Sequence, residues 1–536
     1  SEFMIYKNHF FSKVFQNIRN LYLNSNIYDK KISKIIPKDL IYKPSPNLLS
    51  SIIKYQKKKF KVEDFSSEGF WLENVKKKES KKINNFFWFF SLDLKSSKKT
   101  TQSIISNWIK LNSQYNSQSW DFNITAKRII AWLSCYNLSF EESQADYKNI
   151  FNTQIQKQTN HLINEINQSN ALDNKLVGCA AIILVGLCYG IEKKYLNYGF
   201  DLLKKISKIY LDNSGFPKSR NIKQLVTYLK YFILIREWCK ESQTNIPEHI
   251  DETIYYLGQG YAFIWQNISA DLLFNGNFKS KNHEFDNYLK RFGYKFKNDV
   301  KELGGYVVLK DKRTCLAMDV GSSPNQKFTR DYQSGALSFE IVRNGQKLIS
   351  NCGYYKKKDN LNLNKISKST ATQNTLIIDD QSSCEFDNSH SLKKGLKILK
   401  KNFIHEKNYW KINASHDGYL KKYDSIHERE IEYYPEQKVF VGIDKIIKKK
   451  TSRNHKFDIR FHIEPNIKLM KTQDNKSIFI ELENEGWKFT CDNYHISIDN
   501  GLYFGNKNSY NSNQNIFITG ITRNEIEKII WKIKKI

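Results

Sequence analysis

The sequence predicts a two-domain α+β protein, an all-helical N-terminal half followed by a C-terminal antiparallel β-sandwich, and three observations carry that reading. At 536 residues the chain exceeds one ordinary hydrophobic core, which points to about two or three domains. From about residue 10 to about residue 295 the apolar residues recur mostly at helical spacing. Near residue 300 the period changes to about 2, the spacing of strands with one buried face.

The helical half is clearest in ITAKRIIAWLSCY (124–136), KLVGCAAIILVGLCYGI (175–191) and KQLVTYLKYFILIREW (223–238). Short polar breaks at 167–174 and 212–220 separate such segments, the rhythm of packed helical hairpins. The strand half runs through GGYVVLKDKRTCLAMDVG, GALSFEIVRNGQKLISNCG, YWKINASHDGY, REIEYY, KVFVGIDKI, FDIRFHI and NIFITGI. Gly, Asn and Asp turns join these strands and no helical pattern intervenes, so an antiparallel sandwich is expected. The resulting domain expectation is an N-terminal helical segment at 1–60, a helical domain at 61–297 and the sandwich at 298–536. The join is not rich in Pro or Gly, so close docking of the two domains is expected.

Hydrophobic content of 40% with 14% aromatic residues excludes a disordered chain despite the negative mean hydropathy. The 85 Lys and Arg against 55 Asp and Glu leave a formal charge of +30, which draws polyanions of any kind. Much of that charge also fits a Lys-, Asn- and Ile-saturated composition at tolerant surface positions. The eight cysteines show no CxxC pair and no Cys/His metal spacing, and read as buried thiols of a reducing compartment. Ser1-Glu2-Phe3 before Met4 reads as a cloning scar, and no signal-peptide pattern follows. A cytoplasmic protein is expected, or a periplasmic one if a leader has been removed. The longest apolar run, 179–189, is too short to span a bilayer. No P-loop, dinucleotide fingerprint, HExxH or GxSxG is present, which removes the common nucleotide, protease and esterase readings.

Several segments together resemble the heparinase II/III-like proteins, above all a branch found in alphaproteobacteria. The resemblance rests on SWDFNITAKRIIAWL (119–133), DNSGFPKSRN (212–221) and LLFNGN (272–277), and in the strand half on GGYVVL (304–309), SGALSFEIVRNGQKLISNCG (334–353), KSTATQNTLIIDD (368–380), HDGYLKKYDSIHEREI (416–431) and FDIRFHIEP (457–465). It implies an (α/α) toroid followed by a β-sandwich, with a shared cleft shaped for an acidic polysaccharide. The implied chemistry is β-elimination on a uronic-acid glycan, without a cofactor and with no metal in the chemical step. Such a site needs a donor at the uronate carboxylate, a base at C5 and an acid at the departing O4.

By that resemblance Gln373 stands where characterised lyases carry a catalytic His, with Asn374 beside it, and Asp331 and Gln333 stand where two histidines one residue apart are common. A Gln amide donates a hydrogen bond to a carboxylate but does not titrate near neutrality, so Gln373 is no base. Gln224 and Leu225 fall where a Tyr and a His are usual, and Tyr228, at i+4 from Gln224, is the expected Tyr of that helix. Its alternative is a Tyr packed in the helical wall. His416, with Tyr419 in the HDGY turn, is the expected replacement base, or else a His that holds the turn. Arg220 and Asn221 follow a Gly-containing turn at a helix start and suit an anion. Asn170 and Asn174 are the candidates for the carboxylate-binding Asn, or ordinary helix caps. Trp120 and Arg128 complete the expected binding set, Trp120 as a sugar platform or as core. His427 and His462 sit in alternating strands and read as structural histidines, and no convincing metal-ligand set is present.

The leading functional expectation is a carbon-oxygen lyase acting on a uronate-containing polysaccharide or oligosaccharide. A glycan-binding protein that keeps the lyase fold without its base is the alternative, favoured by Gln333 and Gln373. A basic nucleic-acid binder ranks third, because the aromatic residues follow core periodicity instead of interleaving with Lys and Arg on one face. An acidic glycan is therefore the expected partner, with no membrane insertion. The oligomeric state stays open, a homodimer included.

Overall fold

The computed structural model describes residues 2–53, 80–93, 95–168, 172–191, 193–280, 282–297, 300–357 and 359–536. The chain forms two compact units. The first comprises Ser1–Ile209, Thr227–Ile254 and Glu284–Tyr294, and the second Tyr210–Val226, Tyr255–His283 and Lys295–Ile536.

The first unit is helical. Its helix Phe122–Ser134 starts at the N-cap Asp121, whose side chain accepts from the Ile124 amide, and it buries nearly every residue from Ile124 onward. Such a helix is apolar all round because other helices surround it, here Ala145–Glu165 and Leu172–Tyr189. Each fully buried Ile, Leu or Trp of these helices contributes about 1.5–3 kcal/mol. Arg128 falls on the same buried helix. Its guanidinium donates to Gln158 Oε1 (2.9 Å), Asn84 O (3.1 Å), Ser119 O (2.7 Å) and Thr125 Oγ1 (3.2 Å), and lies 4.0 Å from the Trp108 ring centroid.

The second unit carries the strands. One antiparallel sheet contains β1 (Glu302–Leu303), β2 (Tyr306–Lys310), β3 (Thr314–Asp319), β4 (Phe339–Arg343) and β5 (Gln346–Ile349) in chain order. Next come β6 (Leu376–Ile378), the short pair β7 (Glu385–Phe386) and β8 (Leu392–Lys394), then β9 (Ile398–His405), β10 (Trp410–His416), β11 (Ser425–Tyr434) and β12 (Val439–Lys448). The remaining strands are β13 (Lys456–His462), β14 (Lys468–Lys471), β15 (Ser477–Glu481), β16 (Gly486–Cys491), β17 (Ile496–Tyr503), β18 (Asn511–Ile521) and β19 (Ile526–Lys535). An eight-stranded sheet has the order β14-β15-β16-β19-β12-β11-β10-β9, and a four-stranded sheet the order β17-β18-β13-β6. One apolar core joins inward residues of all three, among them Leu309, Ile341, Ile412, Phe440, Phe461 and Trp531. This is an antiparallel β-sandwich.

Strict alternation on β11 sends Ser425, His427, Arg429, Ile431 and Tyr433 inward. Two of those side chains are strong polar groups, and the register supplies their partner, since Asp444 of β12 pairs directly with Arg429. Asp444 accepts from Arg429 Nε (2.8 Å), His427 Nε2 (2.6 Å) and Trp531 Nε1 (2.9 Å). Burial works against the Asp444 carboxylate, yet the Arg429 charge and these bonds hold it well below the usual carboxylate range. Gly442 faces Trp531 across the β12–β19 ladder, and a Cβ there would lie 1.9 Å from Trp531 Cε2. Only glycine lets the indole cross β12 to reach Asp444.

Candidate functional site

Five stretches of the second unit converge around Asp331. They are the turn 217–221, the LLFNGN loop 272–277, the segment 328–334, the segment 351–356 and the helix Leu361–Lys368. The turn ends at Arg220, which has φ of 60°, and Asn221 then caps the helix Ile222–Glu241, its Oδ1 accepting from the Lys223 amide (2.8 Å) and the Gln224 amide (3.3 Å).

Arg220 fixes that turn. Its Nε and Nη2 donate to the carbonyls of Gly304 and Gly305 (2.9 Å each), and Nη2 also meets Asp319 Oδ1 at 2.6 Å. Burial disfavours the guanidinium, but the Asp319 carboxylate outweighs it and raises the Arg220 pKa. Asp319 Oδ2 in turn accepts from Asn275 Nδ2 (3.1 Å), so the LLFNGN loop is tied to the same ion pair. A surface cavity of about 710 Å³ opens beside Arg220, with Lys218, Lys400 and Lys401 in its wall against Asp212 and Glu302.

The next residue of the loop, Gly276, has φ of 90°, and a Cβ on it would lie 2.7 Å from Asn221 Nδ2 and 3.0 Å from Asp331 Cβ. The missing side chain is what lets the Asn221 amide and Asp331 share one small space. Asp331 is half-buried, and its Oδ1 accepts the phenol proton of Tyr354 at 2.8 Å. Asn364 Nδ2 donates to the same Tyr354 oxygen at 3.1 Å. Burial and then the Asp331 charge raise the Tyr354 pKa, so the phenol stays neutral and serves as a donor. Lys368, one turn beyond Asn364, is buried with its ammonium on the Arg330 and His390 carbonyls (2.6 and 2.9 Å), and burial lowers its pKa to about 8.

Residues 300–532 match the model of the family described as Heparinase II/III-like, C-terminal. This segment is a heparinase II/III-like C-terminal domain. Among solved structures, a heparinase III shares 16% identity with a TM-score of 0.68, covering 85% of this chain and 77% of that one. A second heparinase III aligns at 13% identity and TM-score 0.68 over 91% of this chain and 88% of that one. A heparan sulfate lyase from Pedobacter heparinus aligns at 12% identity and TM-score 0.63 over 94% and 85%. These likenesses show the fold, an (α/α) toroid followed by a β-sandwich. Among curated proteins, none matches by sequence.

The heparinase II/III-like domain contains Asp331, Gln333, Tyr354, Asn364 and Gln373, while Arg220, Asn221 and Gln224 precede it in the chain. Arg220, Asn221, Gln224, Gln333 and Gln373 all lie in the second unit. Gln333 is fully spent on the backbone: Nε2 donates to Gly353 O (2.9 Å) and Ser367 O (2.6 Å), and Oε1 accepts from the Gly276 amide (2.9 Å). Gln373 donates to Thr372 Oγ1 (3.1 Å) and reaches the same Ser367 carbonyl at 3.5 Å. Both glutamines therefore brace the walls of the site instead of facing a ligand. Gln224 is half-buried, with its Oε1 accepting from the Ser219 hydroxyl at 2.5 Å.

Other expected site residues are corrected by burial. His416 is the last residue of β10 and not part of the turn, so it points into the sandwich, where burial and then the charges of His427 and Arg429 push its pKa well below the ordinary value. Its Nδ1 accepts from the Gly418 amide at 3.0 Å, which makes it the His that holds the turn. Tyr419 is buried with its hydroxyl on the Gln381 carbonyl (2.9 Å). Asn374 donates to Phe339 O (2.9 Å) and accepts from the His462 amide (2.6 Å), splicing strands instead of meeting solvent. In the helical unit Tyr228 is buried and stacked on Phe232 at 5.4 Å. Trp120 is buried with its indole donating to Asn112 O (2.9 Å), and Arg128 is buried as described above. Asn174 is half-buried in the first turn of Leu172–Tyr189, and Asn170 lies outside the described residues.

Tyr354, Asn364 and Lys368 carry no mark in the sequence, because they come from separate stretches that only the fold unites. The one available signal was Asp331, which stands where the family resemblance leads to a histidine. Among the described residues no group of three His, Cys, Asp or Glu side chains is placed to hold a metal ion.

Proposed function

We propose that this chain is a carbon-oxygen lyase that cleaves a uronate-containing acidic polysaccharide by β-elimination, with Asp331 as the group that moves the proton. The observation that carries this reading is the half-buried Asp331 carboxylate held by the Tyr354 phenol beside the Asn221 amide. The heparinase II/III-like domain and the fold shared with heparinase III and heparan sulfate lyase structures support the substrate class.

In this scheme the Asn221 side-chain Nδ2 donates to the uronate carboxylate, which takes up charge as the C5 proton leaves. Asp331 accepts that proton, the C4–O4 bond breaks as the C4=C5 double bond forms, and Asp331 returns the proton to the departing O4. Tyr354 and Asn364 position the carboxylate and touch no reacting atom. Protons and electrons balance without a cofactor.

Absorbance of the conjugated unsaturated uronate, followed over alginate, glucuronan, heparan and chondroitin types, tests the reading. Asp331→Asn should lower the rate by about 100-fold or more. Tyr354→Phe should leave KM unchanged while lowering kcat, because the Asp331 carboxylate loses the donor that orients it. An unchanged rate in Asp331→Asn overturns the assignment.

A second reading has its own support. Gln333 and Gln373, standing where the resemblance leads to histidines, are engaged within the protein, Gln333 by the Gly353 and Ser367 carbonyls and Gln373 by the Thr372 hydroxyl, which fits a glycan-binding protein that keeps the fold without the chemistry. Binding without any absorbance rise across the glycan panel would select it.

A further inference from the structure

The N-terminal helix Glu2–Leu23 bears seven large apolar side chains in solvent: Phe10 (67% exposed), Phe11 (58%), Val14 (38%), Phe15 (59%), Ile18 (60%), Leu21 (75%) and Tyr22 (38%). At about 100° per residue these seven fall within an arc of about 140°, so they form one continuous stripe. The helix is held at its last turn, where Leu23 is buried and Arg19 pairs with Glu165 of the same unit at 2.5 Å. From Phe10 to Ile18 every residue is exposed, so the apolar stripe stands in solvent.

We propose that this stripe seats on an anionic lipid surface, with the helix lying in the plane of the membrane interface. Charge selects that partner. From Phe3 to Leu23 the helix contains Lys7, Lys13 and Arg19 and no carboxylate, and exposed Lys30, Lys34 and Lys38 follow it in the chain. The protein as a whole carries +30. A second copy would add a further +30, whereas anionic headgroups neutralise the cations near them. An apolar stripe with a cation on the remaining surface, here Lys13, fits the pattern of an interfacial helix. Among the described residues no helix is long and apolar enough to cross a membrane, so the helix lies on the bilayer and does not span it.

The test is co-sedimentation of the full chain with vesicles of phosphatidylcholine alone and of phosphatidylcholine with phosphatidylglycerol, at low and at physiological salt. Binding to the anionic vesicles is expected, and Phe15→Asp with Ile18→Asp should weaken it by at least tenfold. Both side chains are outward, so the variant should keep the circular dichroism and unfolding midpoint of the parent. No sedimentation with anionic vesicles at low salt would overturn the proposal. Equal sedimentation of parent and variant would overturn it too, because binding would then rest on charge alone. So would a parent dimer that the double variant dissolves, since the stripe would then belong to a second copy.

Discussion

Buried arginines are held differently in the two units. In the helical unit Arg128 is fully enclosed, and the groups bonded to it are two backbone carbonyls, an amide oxygen and a hydroxyl. In the sandwich unit Arg429 meets Asp444, Arg220 meets Asp319, and Lys347 meets Glu340 at 2.9 Å. The cause is the backbone. Helix ends and the turns between helices leave carbonyls without partners, so Asn84 and Ser119 have oxygens to give. Strand carbonyls are committed to their ladders, so a cation on an inward position of β11 has to find a carboxylate on the neighbouring strand. Arg128 is thus solvated by dipoles and Arg429 neutralised by an opposite charge, while the buried lysines cross that pattern, Lys157 of the helical unit meeting Asp29 at 2.6 Å and Lys368 of the sandwich unit resting on two carbonyls.

Removing one partner should therefore hurt the sandwich more than the toroid. Asp444→Asn leaves Arg429 charged and enclosed beside His427, and a loss of about 3–5 kcal/mol is expected in urea unfolding. A loss below about 1 kcal/mol would mean that the carbonyls of Leu337 and Asn374, which Arg429 also bonds, suffice alone. Arg128→Lys keeps the charge but loses the planar fork, and with it some of the four acceptors, for a cost of about 1–3 kcal/mol. If that variant proved worse than Asp444→Asn, the contrast between the units would be reversed.

Histidine burial is where the units should behave alike. His161 of the helical unit accepts the Tyr28 hydroxyl on Nδ1 and donates from Nε2 to Trp120 O, and His462 of the sandwich donates to Ala371 O. Burial lowers both to about 3. Each is neutral when folded and takes its proton near pH 6.5 when unfolded, so their stabilising effect is full above pH 6.5 and is lost as pH falls toward 3. Denaturant titrations should show a decline of about 1.4 kcal/mol per pH unit for each histidine below pH 6. His462→Gln should remove that residue's own share, about 1.4 kcal/mol per pH unit, while buried His416 and His427 go on contributing, and an unchanged slope would show that other groups set it.

The fold was legible because its signals are periodic. The change of spacing near residue 300 falls beside β1 at Glu302, and the alternation on β11 and β12 is as regular in burial as in sequence. The site was legible only in part. Arg220, Asn221 and Gln333 were singled out through the resemblance as substrate-binding residues, and in the structure their side chains pair with Asp319, cap a helix and bond the Ser367 carbonyl. His416 was misjudged because a histidine before Asp-Gly looks like part of a turn, while the period of two carries β10 one residue further and points it inward. Tyr354 meets Asp331 across 23 residues of chain and Asn364 meets Tyr354 across 10, contacts between separate stretches that no local pattern encodes.

Gln333 lies two residues from Asp331, and its side chain joins the backbone at Gly276, Gly353 and Ser367. A one-residue insertion or deletion between Asp331 and Gln333 would turn that amide away from all three at once. The exposed turn 473–476 is closed within itself by the Asp474 carboxylate, which accepts from the Thr472 hydroxyl and the Lys476 amide, and should absorb added residues. Length is thus held fixed where Asp331 is placed and left free at a hairpin turn far along the chain, so natural or engineered length variation should gather in the second place and spare the first.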